Sequence, residues 1–126
     1  MSWQNEPRIT VEDRDATRVL SVDGDLIRDM PAKWRQNVIE QFDKAQHDAR
    51  VVVDVVNVTR LGSWGEKRIK SLARAVVGGG GRVVVVTDPS RSAMYAGLRV
   101  ELRDVIPPAH VVEELGAALR KLEEAS

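Results

Sequence analysis

Two runs of β-branched residues constrain the fold of this chain more than any other feature of the sequence. Val51–Val56 is interrupted only by Asp54, and Val83–Val86 is unbroken. Continuous apolar runs of this kind are typical of strands buried on both faces of a parallel sheet, because a half-exposed strand alternates apolar with polar residues. A chain with two such strands must also supply helices that cover both sides of the sheet.

Amphipathic patterns in the sequence predict the helices that cover the sheet. Apolar residues recur on one helical face in three stretches, 34–45, 69–76 and 111–122. With a further short helix, the predicted helices begin near Asp29, Ser63, Asp88 and His110. Three short segments have strand composition: Ile9–Val11, Val19–Val22 and Val105–Ile106. The predicted order is β-β-α-β-α-β-α-β-α, a single α/β domain with a mostly parallel mixed sheet and helical cover.

The length of 126 residues corresponds to one domain. We expect residues 8–122 to form it, with a flexible N-terminus at 1–7 and a flexible tail at 123–126. Asp23-Gly24-Asp25 is expected to be a turn. The four glycines at 78–81 follow a helix and precede a strand, which predicts a helix stop rather than a phosphate loop.

Composition excludes several classes of function. The chain has no cysteine and only two histidines, so thiol catalysis and a histidine-rich metal site are ruled out. The formal net charge is zero, which argues against binding to nucleic acid through bulk electrostatics. We expect no catalytic residues, no metal, no cofactor and no membrane insertion. Without a recognisable signal peptide, the expected location is the cytoplasm.

Asp54 suggests that the chain could bind a ligand, because this polar residue interrupts an apolar strand near its carboxyl end. Polar residues at the carboxyl ends of parallel strands line the crevice where ligands bind. Thr87 and Asp88, which follow the next buried strand, would share that crevice. The alternative is that Asp54 satisfies amides of its own loop.

The segment between Val51–Val56 and the second long helix is the most informative for function. Ser63 is followed three residues later by Glu66, a capping box that predicts a helix start at Ser63. On the helix that follows, Trp64 projects about 130° from the core stripe, which predicts an outward aromatic side chain. Exposed aromatics are typical of protein interfaces. The alternative, that Trp64 folds back over the adjacent loop, stays open.

The ordered set of motifs resembles the STAS domain family of anti-sigma factor antagonists, stressosome scaffold proteins and sulfate-transporter tails. Over residues 8–122, the family's strand followed by D-S-S-G resembles Val51–Val56 followed by Gly62-Ser63-Trp64-Gly65. Its glycine-basic-strand-polar-proline segment resembles residues 80–90, its Gly-Leu resembles Gly97-Leu98, and its acidic final helix resembles residues 112–115. The resemblance implies the STAS fold.

The chain departs from the family pattern at the positions that matter for switching. Gly62 replaces the family's aspartate, and Trp64 replaces the second serine, which is the phosphorylated one in sporulation-type antagonists. Ser63 resembles the serine that is phosphorylated in stressosome proteins. The family's Gly-Glu-Leu-Asp appears as residues 24–27, so Ile27 replaces the aspartate that would meet a kinase.

The resemblance implies a non-enzymatic module that binds a protein partner: an anti-sigma factor, a serine kinase or another STAS-type regulator. Ser63 is the candidate phosphorylation site, and the candidate partner-binding residues are Gly62, Ser63, Trp64, Lys67 and Arg68. Two alternatives are an accessory subunit of a lipid-type ABC transporter and a small-ligand sensor using the crevice at Asp54. Homo-oligomer formation stays open.

Overall fold

A computed structural model describes residues 4–124 as a three-layer α/β domain. The strands are β1 (Arg8–Arg14), β2 (Thr17–Leu26), β3 (Arg50–Asp54), β4 (Val58–Leu61), β5 (Arg82–Val86) and β6 (Val111–Val112). The α-helices are α1 (Ala32–Ala45), α2 (Ser63–Gly78), α3 (Ala96–Leu102) and α4 (Leu115–Glu124). Two 3₁₀ helices, Pro89–Tyr95 and Pro108–His110, precede α3 and β6.

The sheet has the order β1-β2-β3-β5-β6, and β4 pairs with the end of β2. The β1–β2 pair is antiparallel and all other pairs are parallel. The predicted α/β class and the mostly parallel mixed sheet are therefore confirmed. Strands β1 and β2 form a hairpin.

The two valine-rich strands are buried on both faces, as predicted, because their side chains alternate between two cores. Val51 and Val53 of β3 belong to the larger core, beneath α1, α2 and α3. Val52 belongs to the smaller core on the opposite face, with Ala118 and Leu122 of α4. In β5, Val83 and Val85 face the larger core, while Val84 and Val86 face the smaller one. Burial on both faces explains why neither strand alternates with polar residues.

The predicted turn at 23–25 is wrong, because β2 continues through it to Leu26. Gly24 has φ +89°, and the pairing register with β4 shifts between Gly24 and Asp25. A left-handed glycine within a strand produces a β-bulge, so the chain bends without leaving the sheet. This bend allows the end of β2 to pair with β4, a strand that is absent from the predicted order.

The last predicted strand is also wrong. Val105 and Ile106 lie in the turn after α3, where both amides donate to the carbonyl of Leu102 at 2.9 and 3.0 Å. Ile106 is apolar because it is buried in the larger core. The strand is instead Val111–Val112, which pairs with Val85 and Val86. The last helix therefore begins at Leu115 rather than near His110.

The other helix predictions hold more closely. Helix α1 begins at Ala32, three residues after Asp29, and α2 ends at Gly78 as predicted. Asp88 caps the 3₁₀ helix, its carboxylate accepting from the amide of Ser90 at 2.9 Å. The domain boundaries stay a prediction: residues 1–3 and 125–126 lie outside the described part of the chain. Within that part Asn5 bonds to Asp25, and α4 reaches Glu124.

Candidate functional site

The candidate partner-binding residues lie together at the N-terminal end of α2, which we call the tip: Gly62, Ser63, Trp64, Lys67 and Arg68. The tip follows β4 directly and lies against the end of β2. The amide of Gly62 donates to the carbonyl of Leu26 at 3.0 Å, which links the helix start to that strand.

Gly65 brings α2 close to the sheet. A Cβ atom at this position would lie 2.5 Å from the carbonyl oxygen of Leu26 and 2.6 Å from its Cβ. It would also lie 3.0 Å from the side chain of Leu61. No side chain fits in this space, so the glycine is required for the close approach.

The predicted capping box at Ser63 is wrong. Gly62 occupies the N-cap position, and Ser63 is the first helical residue, with no side-chain capping bond at this helix start. The amide of Glu66 donates to the carbonyl of Gly62 at 3.0 Å. Glu66 is therefore the fourth helical residue, one position beyond the third position that a capping box requires. Ser63 is exposed and its hydroxyl has no capping role to lose.

Trp64 is half-buried rather than fully outward. Its side chain packs against the larger core, so part of the indole is covered by the protein itself. The guanidinium carbon of Arg68 lies 6.0 Å from the ring centroid, at the outer limit of a cation–π contact. Trp64 thus joins the tip to the core while part of its surface stays accessible.

The charges that α2 presents at the tip are positive. Lys67 is exposed, and Arg68 is half-buried beside Trp64. Glu66, in contrast, is directed at α3, where its carboxylate lies against Gly97. Burial raises the pKa of Glu66, and the nearby charge of Glu101 raises it further. The acidic residue of the first turn therefore does not cancel the positive charge of the tip.

An ion pair between buried Asp25 and exposed Arg60 supports the strand next to the tip. Asp25 of β2 is completely buried, and its Oδ2 accepts from Arg60 of β4 at 2.6 Å and from the Asn5 amide at 2.9 Å. Burial alone would raise the pKa of Asp25, but the hydrogen bonds from Arg60 and Asn5 together hold it below its usual value. Sequence reasoning missed this pair, because Asp25 was assigned to a turn.

Two side chains from the segment before α3 fix the loop that leads into β4. The hydroxyl of Tyr95, which is fully buried, donates to the carbonyl of Val55 at 2.8 Å. Arg91 donates to the carbonyls of Val56 and Val58. The loop is thus held by both a buried hydroxyl and a guanidinium. No sequence pattern signals such long-range bonds to backbone carbonyls.

Of the residues of the predicted ligand crevice, Asp54 and Asp88 bond to the backbone of their own loops, and Thr87 bonds to β6. Asp54 Oδ1 accepts from the amide of Val56 at 3.0 Å. Burial raises the pKa of Asp54, the bond from Val56 lowers it, and the charge of Asp23 raises it. Thr87 is buried and donates to the carbonyl of Val112 at 3.4 Å, and Asp88 caps the following 3₁₀ helix. These bonds give Asp54, Thr87 and Asp88 a role in holding the backbone.

Residues 4–124 contain neither a metal-binding cluster nor a membrane-spanning helix. In this range no group of three or more His, Asp or Glu side chains is arranged to hold a metal ion. None of the helices described there is long and apolar enough to cross a membrane.

Comparison with solved structures identifies similar folds. The chain is similar to an anti-sigma factor antagonist from Mycobacterium paratuberculosis, with 21% identity, a TM-score of 0.72, and coverage of 98% of this chain and 99% of that one. A candidate anti-sigma factor antagonist from Thermotoga maritima is 11% identical, with a TM-score of 0.65 over 91% of this chain and 94% of that one. The match to SLC26A9 covers 98% of this chain and 24% of SLC26A9, with 13% identity and a TM-score of 0.66.

No protein-family model and no curated protein sequence matches the chain. The similarity therefore lies in the three-dimensional structure, at sequence identities that show the fold alone. The fold implied by the sequence resemblance is confirmed at that level.

Proposed function

We propose that this chain, which has the STAS fold, is a non-enzymatic regulatory module of the anti-sigma factor antagonist type that binds a protein partner through the tip. The observation that carries the proposal is the accessible tip itself: an exposed serine at the first position of α2, followed by a half-buried tryptophan that Arg68 approaches. Gly65 and the bond from Gly62 to Leu26 hold this surface rigidly on the sheet. A preorganised surface loses little conformational entropy on binding.

Phosphorylation of Ser63 would switch such a surface without disturbing the fold. A phosphate at the first helical position is stabilised by the helix N-terminus and by Lys67 and Arg68 one turn along. A partner packed against Ser63 and Trp64 would instead have to bury nearly two negative charges, which is costly unless the partner supplies cations. The proposed effect of the modification is therefore release of the partner.

Affinity capture tests the proposal. The tagged chain is used to isolate binding proteins from the lysate of its source organism, and each captured protein is then purified and titrated directly. An anti-sigma factor or serine kinase that binds wild-type protein but not tip variants supports the proposal. Capture of a transporter ATPase supports the accessory-subunit alternative, and binding that tip variants leave unchanged contradicts the assignment of the tip.

Replacing Trp64 with alanine should weaken partner binding more than it weakens the fold. Because the ring is half-buried against the core, we expect a loss of about 1.5 kcal/mol in unfolding free energy, below the cost of truncating a fully buried tryptophan. Partner affinity should fall by at least about thirty-fold if Trp64 is an anchor. Chemical denaturation and titration calorimetry measure the two effects.

The matched control is Trp34→Ala, which removes a half-buried tryptophan of α1 that lines a depression with Glu6 and Glu40. It should reduce stability by no more than Trp64→Ala does, because Trp34 is not among the residues packed against either core, and leave partner affinity intact. Equal losses of affinity in both variants would mean that binding responds to general destabilisation, not to the tip.

Replacing Ser63 with aspartate should leave the fold intact and weaken partner binding about ten-fold or more. Ser63 is not the N-cap, and a negative charge in the first turn interacts favourably with the helix dipole, so stability should change by less than about 0.5 kcal/mol. Thr10→Asp adds the same charge at an exposed position of β1 and should bind as wild type does. Unchanged binding of Ser63→Asp would rule out charge at this position as the switch.

A further inference from the structure

A groove lies at the C-terminal end of α3 and shares no residue with the tip. The α3 groove lies between α3, the turn after it and Val111 of β6, and has a volume of about 290 Å³. None of the tip residues lines it. Pockets of this volume are at the lower limit for small-molecule sites, so its size suits a small organic ligand.

The floor and one wall of the α3 groove are apolar. Leu102 and Ile106 form part of the larger core, and Val111 packs against that core. Val100 also lines the groove and is 58% exposed, more than any other large hydrophobic residue in the range 4–124. Exposed apolar surface next to a buried apolar floor favours a ligand with a hydrocarbon part, because burying both surfaces removes them from water.

The rim of the α3 groove is positively charged. Arg99 and Arg103 lie four positions apart, so they project from the same side of the chain, and both line the groove. Arg99 is oriented by a hydrogen bond from its Nη1 to the carbonyl of Ser92 at 3.1 Å.

No acidic side chain balances this rim from within the groove. None of the residues that line it is acidic. Glu101, the acidic residue of α3, is paired with Lys70 of α2 at 3.1 Å. Asp104 follows Arg103 in sequence but does not line the groove. The groove therefore combines an apolar floor with two guanidinium groups, the complement of a molecule with one anionic end and one hydrocarbon end.

We propose that the α3 groove binds a small amphipathic carboxylate, of the class of medium-chain fatty acids. The hydrocarbon chain covers Val100 and the floor formed by Leu102 and Ile106. The carboxylate accepts hydrogen bonds from Arg99 and Arg103. Because the groove and the tip share no residue, the ligand and a protein partner at the tip can bind at the same time.

Titration with octanoate, followed by the methyl resonances of the protein, tests the proposal. We expect saturable shifts of Val100, Ile106 and Val111, with a Kd of about 1 mM or below, a ligand of this size contributing a fraction of a kcal/mol per heavy atom. The neutral analogue 1-octanol should bind at least about five-fold more weakly, because it lacks the charge that the arginines recognise. Acetate, which has the charge without the chain, should not bind.

Variants separate the charge from the apolar surface. Arg103→Gln should weaken octanoate about five-fold and leave 1-octanol unchanged, and the Arg99→Gln/Arg103→Gln double variant should remove the preference for octanoate. The matched control Arg74→Gln removes an exposed arginine of α2 and should bind as wild type does. Equal affinities for octanoate and 1-octanol, shifts confined to residues outside the groove, or an Arg103→Gln variant with unchanged octanoate binding would each overturn the proposal.

Discussion

Replacing Gly65 with alanine is expected to destabilise the domain by about 3 kcal/mol, the upper part of the range for overpacked sites. The added methyl group would lie 2.5 Å from the carbonyl oxygen of Leu26, a backbone atom that cannot rotate away. Either α2 must move off the sheet or the end of β2 must shift. For a domain of this size the loss corresponds to a fall of about 10 °C in Tm.

The matched control is Gly78→Ala at the other end of the same helix. A Cβ at Gly78 would have no neighbouring atom within 4 Å, so the substitution adds no clash. Alanine has the higher helix propensity, and we expect a stability change between zero and a gain of about 0.5 kcal/mol. Thermal and denaturant unfolding of both variants check the prediction. A Gly65→Ala variant as stable as wild type would mean that α2 is not held in close contact with β2.

Displacing α2 should also affect the proposed function. Gly62, Ser63 and Trp64 precede Gly65 directly, so a shift of the helix start moves the whole tip. At a temperature where Gly65→Ala is still folded, partner affinity should already be reduced. Gly78→Ala, whose site lies at the far end of α2, should bind normally.

Replacing Arg60 with methionine is expected to reverse the way that Asp25 responds to pH. In the wild type the pKa of Asp25 is lowered in the folded state, because bonds from Arg60 and Asn5 outweigh burial. A group with a lowered folded pKa contributes stability above its unfolded pKa and loses that contribution as the pH falls through the folded value, below about pH 4 here. Wild-type protein should therefore lose stability on acidification in that range.

Without Arg60, burial dominates and should raise the pKa of Asp25. Ionised Asp25 then destabilises the folded state at neutral pH, on the order of 2 kcal/mol for a buried carboxylate that has lost its cation. Protonation relieves this cost, so the variant should gain stability relative to wild type as the pH is lowered from 7 towards 4. Denaturant unfolding at several pH values measures the difference.

The double variant Asp25→Asn/Arg60→Met provides the control. It removes the charge that is left unpaired while keeping an oxygen that can accept from the Asn5 amide. It should recover most of the stability that Arg60→Met loses at pH 7, and its stability should no longer depend on this group. A double variant less stable than Arg60→Met would contradict the electrostatic explanation.

The buried strands and their helices could be predicted from sequence because each carries a periodic signal of its own. The valines of β3 and β5 are buried in the cores, and so is the apolar stripe of α2. In each case a local pattern in the sequence shows this burial directly. Strand β4 has no such signal: it has four residues and only Val58 is buried, so it exists because the bulge at Gly24 gives it an edge to pair with. Ile106 misled the prediction because a buried residue in a turn looks like part of a strand.

The tip was located by sequence, but its details were not. The sequence shows a helix start near Ser63, and the structure moves the cap by one residue to Gly62. The angle of Trp64 on an ideal helix could not show that the core extends far enough to cover part of the ring. The Asp25–Arg60 pair joins residues 35 positions apart, and the α3 groove requires β6 beside α3. Both depend on tertiary contacts that no local pattern contains.

The two ends of the sheet limit how other polypeptides can attach to this domain. β6 has only two residues, too few to template a further strand. At the other end, β1 is exposed at six of its seven positions and carries Arg8, Glu12, Asp13 and Arg14. Short or highly charged edges protect proteins from strand-to-strand aggregation. They equally discourage recognition by strand addition, so a protein that binds at the β1 or β6 edge is expected to recognise side chains rather than to extend the sheet.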